Sequence, residues 1–226
     1  MCWKEERECN IIELYYRRFI TSVLYFRLYR SIFPNTPYYT PGAIQIIKKR
    51  INKNSKVFEW GSGKSSLWFS ERVGEYICVE HDRRWFDDIL NCFKQENIQN
   101  AQIIYVPSQE IETGYQWEKD WPYYKLLNHP PAKPEFRNYM MHIDNYPDKY
   151  FDCIVVDGRE RVGCMLHALP KVKTDGFIIF DDSNRPRYKE IFKILNHWQI
   201  KKFDFGLAQT SIYQPVLTNH NPYYCL

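Results

Sequence analysis

The chain has 226 residues, of which 44% are hydrophobic and 26% charged, and its formal net charge is +4 at pH 7. This length and apolar content suffice for one sizeable hydrophobic core, and the ordinary charged fraction argues against intrinsic disorder. A net charge this small gives no sign of the concentrated basic face that nucleic-acid-binding proteins need, so we expect no nucleic-acid partner.

The N-terminal segment, residues 7–33, is predicted to form a helix, because apolar residues recur along it at steps of three and four. Several arginines accompany the apolar stripe, which leaves two interpretations open. The helix packs on the domain or on a second copy in a homodimer, or it makes peripheral contact with a membrane surface as a basic amphipathic helix. Pro34 ends this helix. Thr40 and Pro41 then predict the N-cap and first position of a short helix that reaches Ile47.

From residue 36 onward, apolar runs and helical patterns alternate, which predicts an α/β domain whose mostly parallel sheet is covered by helices on both faces. The predicted strands cover residues 56–60, 75–80, 101–106, 151–156, 176–181, 201–206 and 210–215. The predicted helices cover residues 64–73, 83–96, 160–170 and 186–198. The last two strands are separated by a short break, so they predict a terminal antiparallel hairpin. We divide the chain into an N-terminal helical extension, residues 1–35, and a domain of residues 36–226.

One connection, residues 109–150, is far longer than the usual link between elements and is rich in tyrosine, tryptophan and proline. Long ordered loops often serve as lids or substrate-binding inserts. An insert that only packs on the domain or contacts another subunit is the alternative.

The seven cysteines are scattered and contain no C-x-x-C pair, which predicts a reducing compartment and no zinc site. Cys78 and Cys153 fall inside predicted buried strands, where a free cysteine acts as a small apolar residue. The charged N-terminus resembles no signal peptide, and no apolar stretch approaches the roughly 20 residues that span a membrane. We therefore expect a cytoplasmic protein.

The most informative stretch is Glu59-Trp60-Gly61-Ser62-Gly63-Lys64-Ser65-Ser66, which joins a predicted strand to a predicted helix. A tight glycine turn at this place brings backbone N–H groups close to a ligand. About 20 residues further on, the next strand ends in Glu80, and an acid at this position can hold the hydroxyls of a ribose. Together, the two features predict a bound nucleoside.

Two phosphate-binding motifs fit this turn poorly. A P-loop needs a glycine where Phe58 stands, and a dinucleotide-binding turn needs a third glycine where Ser66 stands. The carboxylate of Glu59 beside the turn would repel a diphosphate but attract an ammonium group. S-adenosylmethionine carries such an ammonium and no phosphate.

The ordered series of E-x-G-x-G-x-S after a strand, an acid after the next strand and a third acid at Asp157 resembles the class I S-adenosylmethionine-dependent methyltransferases over residues 36–215. The resemblance implies a Rossmann-like fold with a seven-stranded, mostly parallel sheet, and S-adenosylmethionine as cofactor. The resemblance implies that Glu59 binds the methionine ammonium, that Glu80 binds the ribose diol and that Asp157 faces the methyl group. The predicted cofactor-binding residues are Thr40, Glu59, Gly61, Ser62, Gly63, Ser65, Glu80, His81 and Asp157.

A second, narrower similarity concerns a metal. Asp157, Asp181 and Asp182 are similar to the ligands of metal-dependent catechol-type O-methyltransferases, with Asp182 replacing an asparagine. Three carboxylates at one sheet edge suit Mg²⁺, which would lower the pKa of an acceptor hydroxyl. In the alternative, Asp182 caps the following helix and Asp181 anchors a loop. Without a metal, Asp157 or His167 could act as the general base.

Arg159 and Arg161 follow Asp157 closely, and either they bind an acceptor carboxylate or phosphate, or one of them pairs with the nearby aspartates. We predict Asp157, Arg159 and Asp181 as catalytic residues. The predicted reaction is methyl transfer to an oxygen of a small molecule or glycan, with an anionic acceptor preferred. The alternatives are an NAD(P)-dependent oxidoreductase and a non-catalytic scaffold of the same fold.

Overall fold

The computed structural model of the chain describes residues 23–111 and 133–216. The strands are β1 (Lys56–Trp60), β2 (Glu75–Glu80), β3 (Ala101–Tyr105), β4 (Phe151–Val156), β5 (Val172–Phe180), β6 (Gln199–Phe205) and β7 (Ala208–Gln214). The α-helices, after a helical segment over residues 23–32, are α1 (Pro41–Arg50), α2 (Lys64–Ser70), α3 (Arg83–Gln95), α4 (Arg137–Met141), α5 (Arg161–Ala168) and α6 (Lys189–Ile194). Short 3₁₀ turns cover Pro134–Phe136, His142–Asn145 and Pro186–Tyr188.

The strands form one seven-stranded sheet in the order β3-β2-β1-β4-β5-β7-β6. Strands β1 to β5 pair in parallel, whereas β7 pairs antiparallel with both β5 and β6. The predicted Rossmann-like sheet with its terminal hairpin is therefore confirmed. Chain order reverses between β1 and β4, and ligands of open α/β sheets bind beside such a switch point, beyond the carboxyl ends of the strands.

The central strands are buried on both sides, as their continuous apolar runs predict. Alternate residues face opposite layers: Val57, Cys78 and Val155 face the core that holds α1, α2 and α3. Phe58, Val79 and Ile154 face the core that holds α5 and α6. Glu59 pairs with Cys78 across the two strands, and Glu80 follows Cys78 by two residues. Both acids therefore point to the same face of the sheet as Cys78, the face that packs on α1, α2 and α3.

The predicted boundaries hold closely for β1, β2 and β4 and differ elsewhere. Strand β5 begins at Val172 rather than at residue 176, because a bulge between Phe151 and Cys153 lets Val172 pair with β4 before Gly176 is reached. Helix α2 ends at Ser70, and the predicted helix 186–198 is a 3₁₀ turn followed by α6.

Helix α1 starts at Pro41 as predicted and continues to Arg50. Thr40 occupies its N-cap position, but the Thr40 side chain makes no capping hydrogen bond. Of the predicted helix 7–33, residues 23–32 are helical and residues 7–22 lie outside the described part of the chain. Among the described residues, no helix combines the length and apolarity that crossing a bilayer requires.

The long insert is partly described: residues 112–132 lie outside the described residues, and residues 133–150 carry α4 between two 3₁₀ turns. Tyr139, Met140 and Ile143 of this part are fully buried against the sheet face that holds Trp60. The end of the insert is therefore built into the core beside the carboxyl end of β1.

Candidate functional site

The turn after β1 meets the turn after β4 backbone against backbone. Gly61 has φ +93°, and a Cβ there would lie 3.2 Å from both N and Cα of Gly158. A Cβ on Gly158 would in turn lie 1.9 Å from the hydroxyl of Tyr139. A side chain at either position would collide with the opposite loop or with Tyr139, so both positions require glycine. Gly61 also requires glycine because its backbone is left-handed. This contact holds the two loops together at the switch point of the sheet.

The second glycine of the turn, Gly63, lies beside open space: a Cβ there would have no neighbour within 4 Å among the described residues. Its N–H donates to Ser66 Oγ at 3.1 Å at the start of α2. The ammonium of Lys64 donates to the carbonyl of Pro34 at 2.6 Å, so its charge is engaged by the segment before α1. Ser65 is buried behind the turn. The turn therefore leaves room for a ligand on the Gly63 side.

Glu80, at the end of β2, is bound to this same turn. Its Oε2 accepts from the N–H and the hydroxyl of Ser62, both at 2.8 Å. Its Oε1 accepts from the N–H groups of His81 at 2.8 Å and Asp82 at 2.9 Å. Burial alone would raise the pKa of Glu80, but the hydrogen bonds from His81, Asp82 and Ser62 outweigh burial and lower it. Glu80 is thus a buried carboxylate that stays ionised.

Glu59 lies beneath the turn and is fully buried. Its carboxylate accepts hydrogen bonds from the hydroxyl of Tyr39 at 2.8 Å and from the hydroxyl of Tyr76. Burial raises its pKa to about 7, although the hydrogen bonds from Tyr76, Ser65 and Tyr39 oppose the rise. Both oxygens of this carboxylate therefore have a tyrosine hydroxyl as partner. The predicted contact with the methionine ammonium stays a prediction.

Three aspartates surround one buried guanidinium at the ends of β4 and β5. Arg161 Nη2 lies 2.8 Å from Asp157 Oδ1, and Arg161 Nη1 lies 3.5 Å from Asp182 Oδ2 and 4.0 Å from Asp181 Oδ2. Arg161 also donates to the carbonyls of Asp157, Gly158 and Asp181. Of the two interpretations of the arginines, pairing with the aspartates is the observed one for Arg161.

This arrangement does not fit the predicted magnesium site of Asp157, Asp181 and Asp182. The guanidinium already supplies the positive charge between the carboxylates, and Asp182 also pairs with Arg185. In the described ranges, no group of three or more His, Cys, Asp or Glu side chains is placed to hold a metal ion. The donor set is thus that of an ion-pair cluster rather than a metal centre.

Asp157 is the member of the cluster whose side chain is most exposed, at 28%. Burial raises its pKa to about 7, with Arg161 opposing the rise and the charges of Glu59 and Asp182 adding to it. A carboxyl group with such a pKa can take up a proton near neutral pH. His167 lies elsewhere: its Nδ1 is 2.8 Å from Asp144 Oδ2, between α5 and the insert.

His81, which follows β2, and Arg159, which follows β4, contact each other beside the turn. Arg159 Nε donates to His81 Nε2 at 3.3 Å, and Arg159 is exposed to solvent. The His81 ring packs edge-on against Phe136 and Tyr139, with ring centroids 5.2 and 5.7 Å away. The aromatic end of the insert thus forms one wall of the site, beside the residues that follow β2 and β4.

Thr40 lies on the other side, beside the end of β5 and the start of β7. Its backbone N–H donates to Thr210 Oγ1 at 3.0 Å, and Thr210 Oγ1 donates to Asp181 Oδ1 at 2.9 Å. The hydroxyl of Thr40 is buried and has no hydrogen-bond partner within the described part of the chain. The structure therefore brings the predicted residues to one edge of the sheet, with Glu59 beneath the turn and Arg159 at the rim.

Sequence reasoning did not identify Tyr76 and Tyr139 as parts of this site. Tyr76 binds Glu59 and Ser66, and Tyr139 closes the gap beside Gly158. A polar tyrosine inside an otherwise apolar strand, one position before Ile77, was the available signal for Tyr76. No signal distinguished Tyr139 among the many aromatic residues of the insert.

No protein-family model matches the chain, and no curated protein matches it. A methyltransferase-like protein from Silicibacter pomeroyi is 20% identical, with a TM-score of 0.54 over 84% of this chain and 93% of that chain. A protein from Streptococcus mutans, solved in complex with SAH, is 9% identical, with a TM-score of 0.52 over 75% of this chain and 93% of that chain.

An rRNA methylase from Streptococcus thermophilus is 5% identical, with a TM-score of 0.53 over 76% of this chain and 93% of that chain. At such identities the likeness concerns the fold. It agrees with the strand order and the terminal hairpin described above. The chain has the Rossmann-like fold of the class I methyltransferases.

Proposed function

We propose that the protein is an S-adenosylmethionine-dependent methyltransferase that methylates an oxygen of a small molecule or glycan. One observation carries the proposal. The Gly61 turn, the carboxylate of Glu80 and the carboxylate of Asp157 lie together at the switch point of the sheet, with open space beside Gly63. A nucleoside placed there would meet an ionised acid for its ribose and a second acid near its reacting end.

The residues around the turn fit this cofactor better than a dinucleotide. Two carboxylates, Glu59 and Glu80, lie next to the turn, and the one lysine within the turn, Lys64, is held by the carbonyl of Pro34 rather than placed to offset a diphosphate. Ser66, at the place of the third dinucleotide glycine, is fully buried and bonded to Gly63 and Tyr76. These features favour a cationic ligand over NAD(P).

When bound, S-adenosylmethionine supplies a methyl group already activated by the sulfonium. The task of the chain is then to align the acceptor and to exclude water. Glu80 would hold the ribose, and the backbone around Gly61 and Gly63 would support the methionine portion. The carboxyl group of Asp157, with its pKa of about 7, would take the proton from the acceptor hydroxyl.

The acceptor side of the site carries positive charge. Arg159 lies exposed beside His81, and Arg187 lies exposed over the ring of Tyr188, with its Cζ 4.9 Å from the ring centroid. These guanidinium groups support an acceptor with a carboxylate or phosphate. The comparison proteins include an rRNA methylase, but the net charge of +4 on 226 residues gives little support for an RNA acceptor.

Calorimetry with S-adenosylhomocysteine, S-adenosylmethionine and NAD tests the proposal. We expect micromolar binding of the first two and none of NAD. Glu80→Gln should weaken S-adenosylhomocysteine binding by about tenfold, because a side-chain amide cannot accept both from the N–H groups that hold the turn and from a ribose hydroxyl. Glu75→Gln, at the opposite end of the same strand, is the matched control and should bind like the wild type. Binding of NAD alone, or no nucleoside binding at all, would refute the proposed function.

A further inference from the structure

We infer that the hydroxyl of Ser62 occupies the ribose position on Glu80 and competes with the cofactor for it, which makes Ser62 a determinant of cofactor affinity. The inference rests on the proposed function, because it assumes that Glu80 receives a ribose. Ser62 lies inside the glycine turn, and its hydroxyl donates to Glu80 Oε2 at 2.8 Å.

The hydrogen-bond acceptor positions of the Glu80 carboxylate are already occupied in the free protein. An ionised carboxylate offers about four acceptor positions. All are taken within the chain, by three backbone N–H groups and by Ser62 Oγ, at distances of 2.8 to 2.9 Å. The ring Nδ1 of His81 also lies 2.8 Å from Oε1. Glu80 is only 3% exposed, so solvent reaches it poorly. A ribose hydroxyl can therefore bind Glu80 strongly only by replacing one of these donors.

The four groups that donate to Glu80 differ in how easily they can move away from it. The N–H groups of Ser62, His81 and Asp82 are fixed by the backbone of the turn and by the start of α3. The Ser62 hydroxyl instead swings about a single side-chain torsion. Ser62 is only half-buried and is followed by Gly63, which faces open space. The Ser62 hydroxyl is thus the Oε2 donor that can leave without any backbone movement.

The Ser62 hydroxyl and a ribose hydroxyl are chemically equivalent as donors to Glu80. Ser62 Oγ–H and a ribose O–H are both neutral hydroxyls that donate to the same ionised oxygen. Exchanging one for the other gains little, since the bond that forms resembles the bond that breaks. In the free protein, Ser62 therefore keeps the acid satisfied and rigid, and it reduces the net gain from the ribose contact.

Removal of the Ser62 hydroxyl should then strengthen binding. Ser62→Ala leaves one acceptor position of Glu80 open, and the ribose hydroxyl fills it without displacing a partner. We expect S-adenosylhomocysteine to bind S62A about three- to tenfold more tightly than wild type. Ser62→Thr keeps a hydroxyl and should bind like the wild type. Ser62→Cys, a weaker donor, should lie between the two.

Calorimetry of the three variants with S-adenosylhomocysteine gives the answer, and thermal melting first shows that each variant is folded. A chemical control uses adenosine and 2′,3′-dideoxyadenosine: the gain of S62A should appear with adenosine and vanish with the dideoxynucleoside. Equal or weaker binding of S-adenosylhomocysteine to S62A than to wild type overturns the inference and leaves the proposed function standing. No binding to the wild type at all overturns the proposed function itself.

Discussion

Arg161 and Asp157 form an ion pair of 2.8 Å in which the guanidinium side chain is only 10% exposed. The same guanidinium donates to the carbonyl of Asp181 at 2.5 Å, in the loop after β5. One arginine thus fixes the loops after two neighbouring strands and places its positive charge among three aspartates, of which Asp182 also pairs with Arg185. The cluster holds Asp157 in place at the edge of the proposed site.

Replacing Arg161 should destabilise the protein strongly. Arg161→Met leaves buried carboxylates and carbonyls without their partner, and removal of one member of such a buried pair costs about 3–5 kcal/mol. Urea denaturation measures the free energy of unfolding. Arg83→Met is the matched control, because Arg83 pairs with Asp87 on the surface, where such a pair contributes about 0–1 kcal/mol. Equal losses in the two variants would contradict the central role of Arg161.

The sheet could be predicted closely because its strands are short apolar runs bounded by polar residues and glycine. The location of the acids at the strand ends could also be predicted, since parallel strands have their carboxyl ends at one edge of the sheet. Chain order alone therefore placed Glu80, Asp157 and Asp181 at one edge of the sheet, and the strand register agrees.

Side-chain partners could not be predicted in the same way. Whether an arginine or a metal balances Asp157 depends on the path of the loop after β4, where Glu160 has a left-handed backbone with φ +46°. That conformation starts α5 so that Arg161 turns inward, and no sequence pattern signals it. The burial of Glu59 likewise depends on Tyr39 and Tyr76, which come from separate elements.

Divalent metal should not bind at the aspartate cluster. Titration of Mg²⁺ into the wild-type protein is expected to give no saturable heat, and excess EDTA is expected to leave the thermal midpoint and the affinity for S-adenosylhomocysteine unchanged. The reason is that Arg161 already lies between the three carboxylates. Stoichiometric Mg²⁺ binding that is abolished by Asp182→Asn would restore the magnesium site predicted from the sequence.

Stability should fall as the pH rises through the range in which Glu59 titrates. The ordinary pKa of a glutamate is 4.5, and burial raises that of Glu59 to about 7. Between these values the unfolded chain loses its proton before the folded protein does. The contribution of Glu59 protonation to the free energy of unfolding is therefore fully present below pH 4.5. About 3 kcal/mol of this contribution is lost by pH 7.

Urea denaturation at several pH values between 5 and 7 measures this effect. Glu59→Gln cannot titrate, so its free energy of unfolding should decline less with pH than that of the wild type. Glu71→Gln is the control, since the Glu71 side chain is 65% exposed, and it should follow the wild type. Parallel curves for Glu59→Gln and the wild type would show that Glu59 keeps its ordinary pKa in the folded protein.

The contact between Gly158 and Tyr139 should appear as an energetic coupling. Gly158→Ala places a methyl group 1.9 Å from the Tyr139 hydroxyl, and Tyr139 is fully buried and cannot swing into solvent. Overpacking of this kind costs about 1–3 kcal/mol. Tyr139→Phe removes the clashing oxygen, so Gly158→Ala should cost about 1 kcal/mol less in the Tyr139→Phe variant than in the wild type.

A double-mutant cycle of urea denaturation curves gives this coupling. The relief should be partial, because the added methyl still lies 3.1 Å from the Gly61 nitrogen. Gly63→Ala serves as the control, since its methyl meets open space and its φ of 163° is extended backbone that alanine adopts. Its cost should be well below that of Gly158→Ala and independent of Tyr139. Additive effects of Gly158→Ala and Tyr139→Phe would mean that Tyr139 does not restrict the turn after β4.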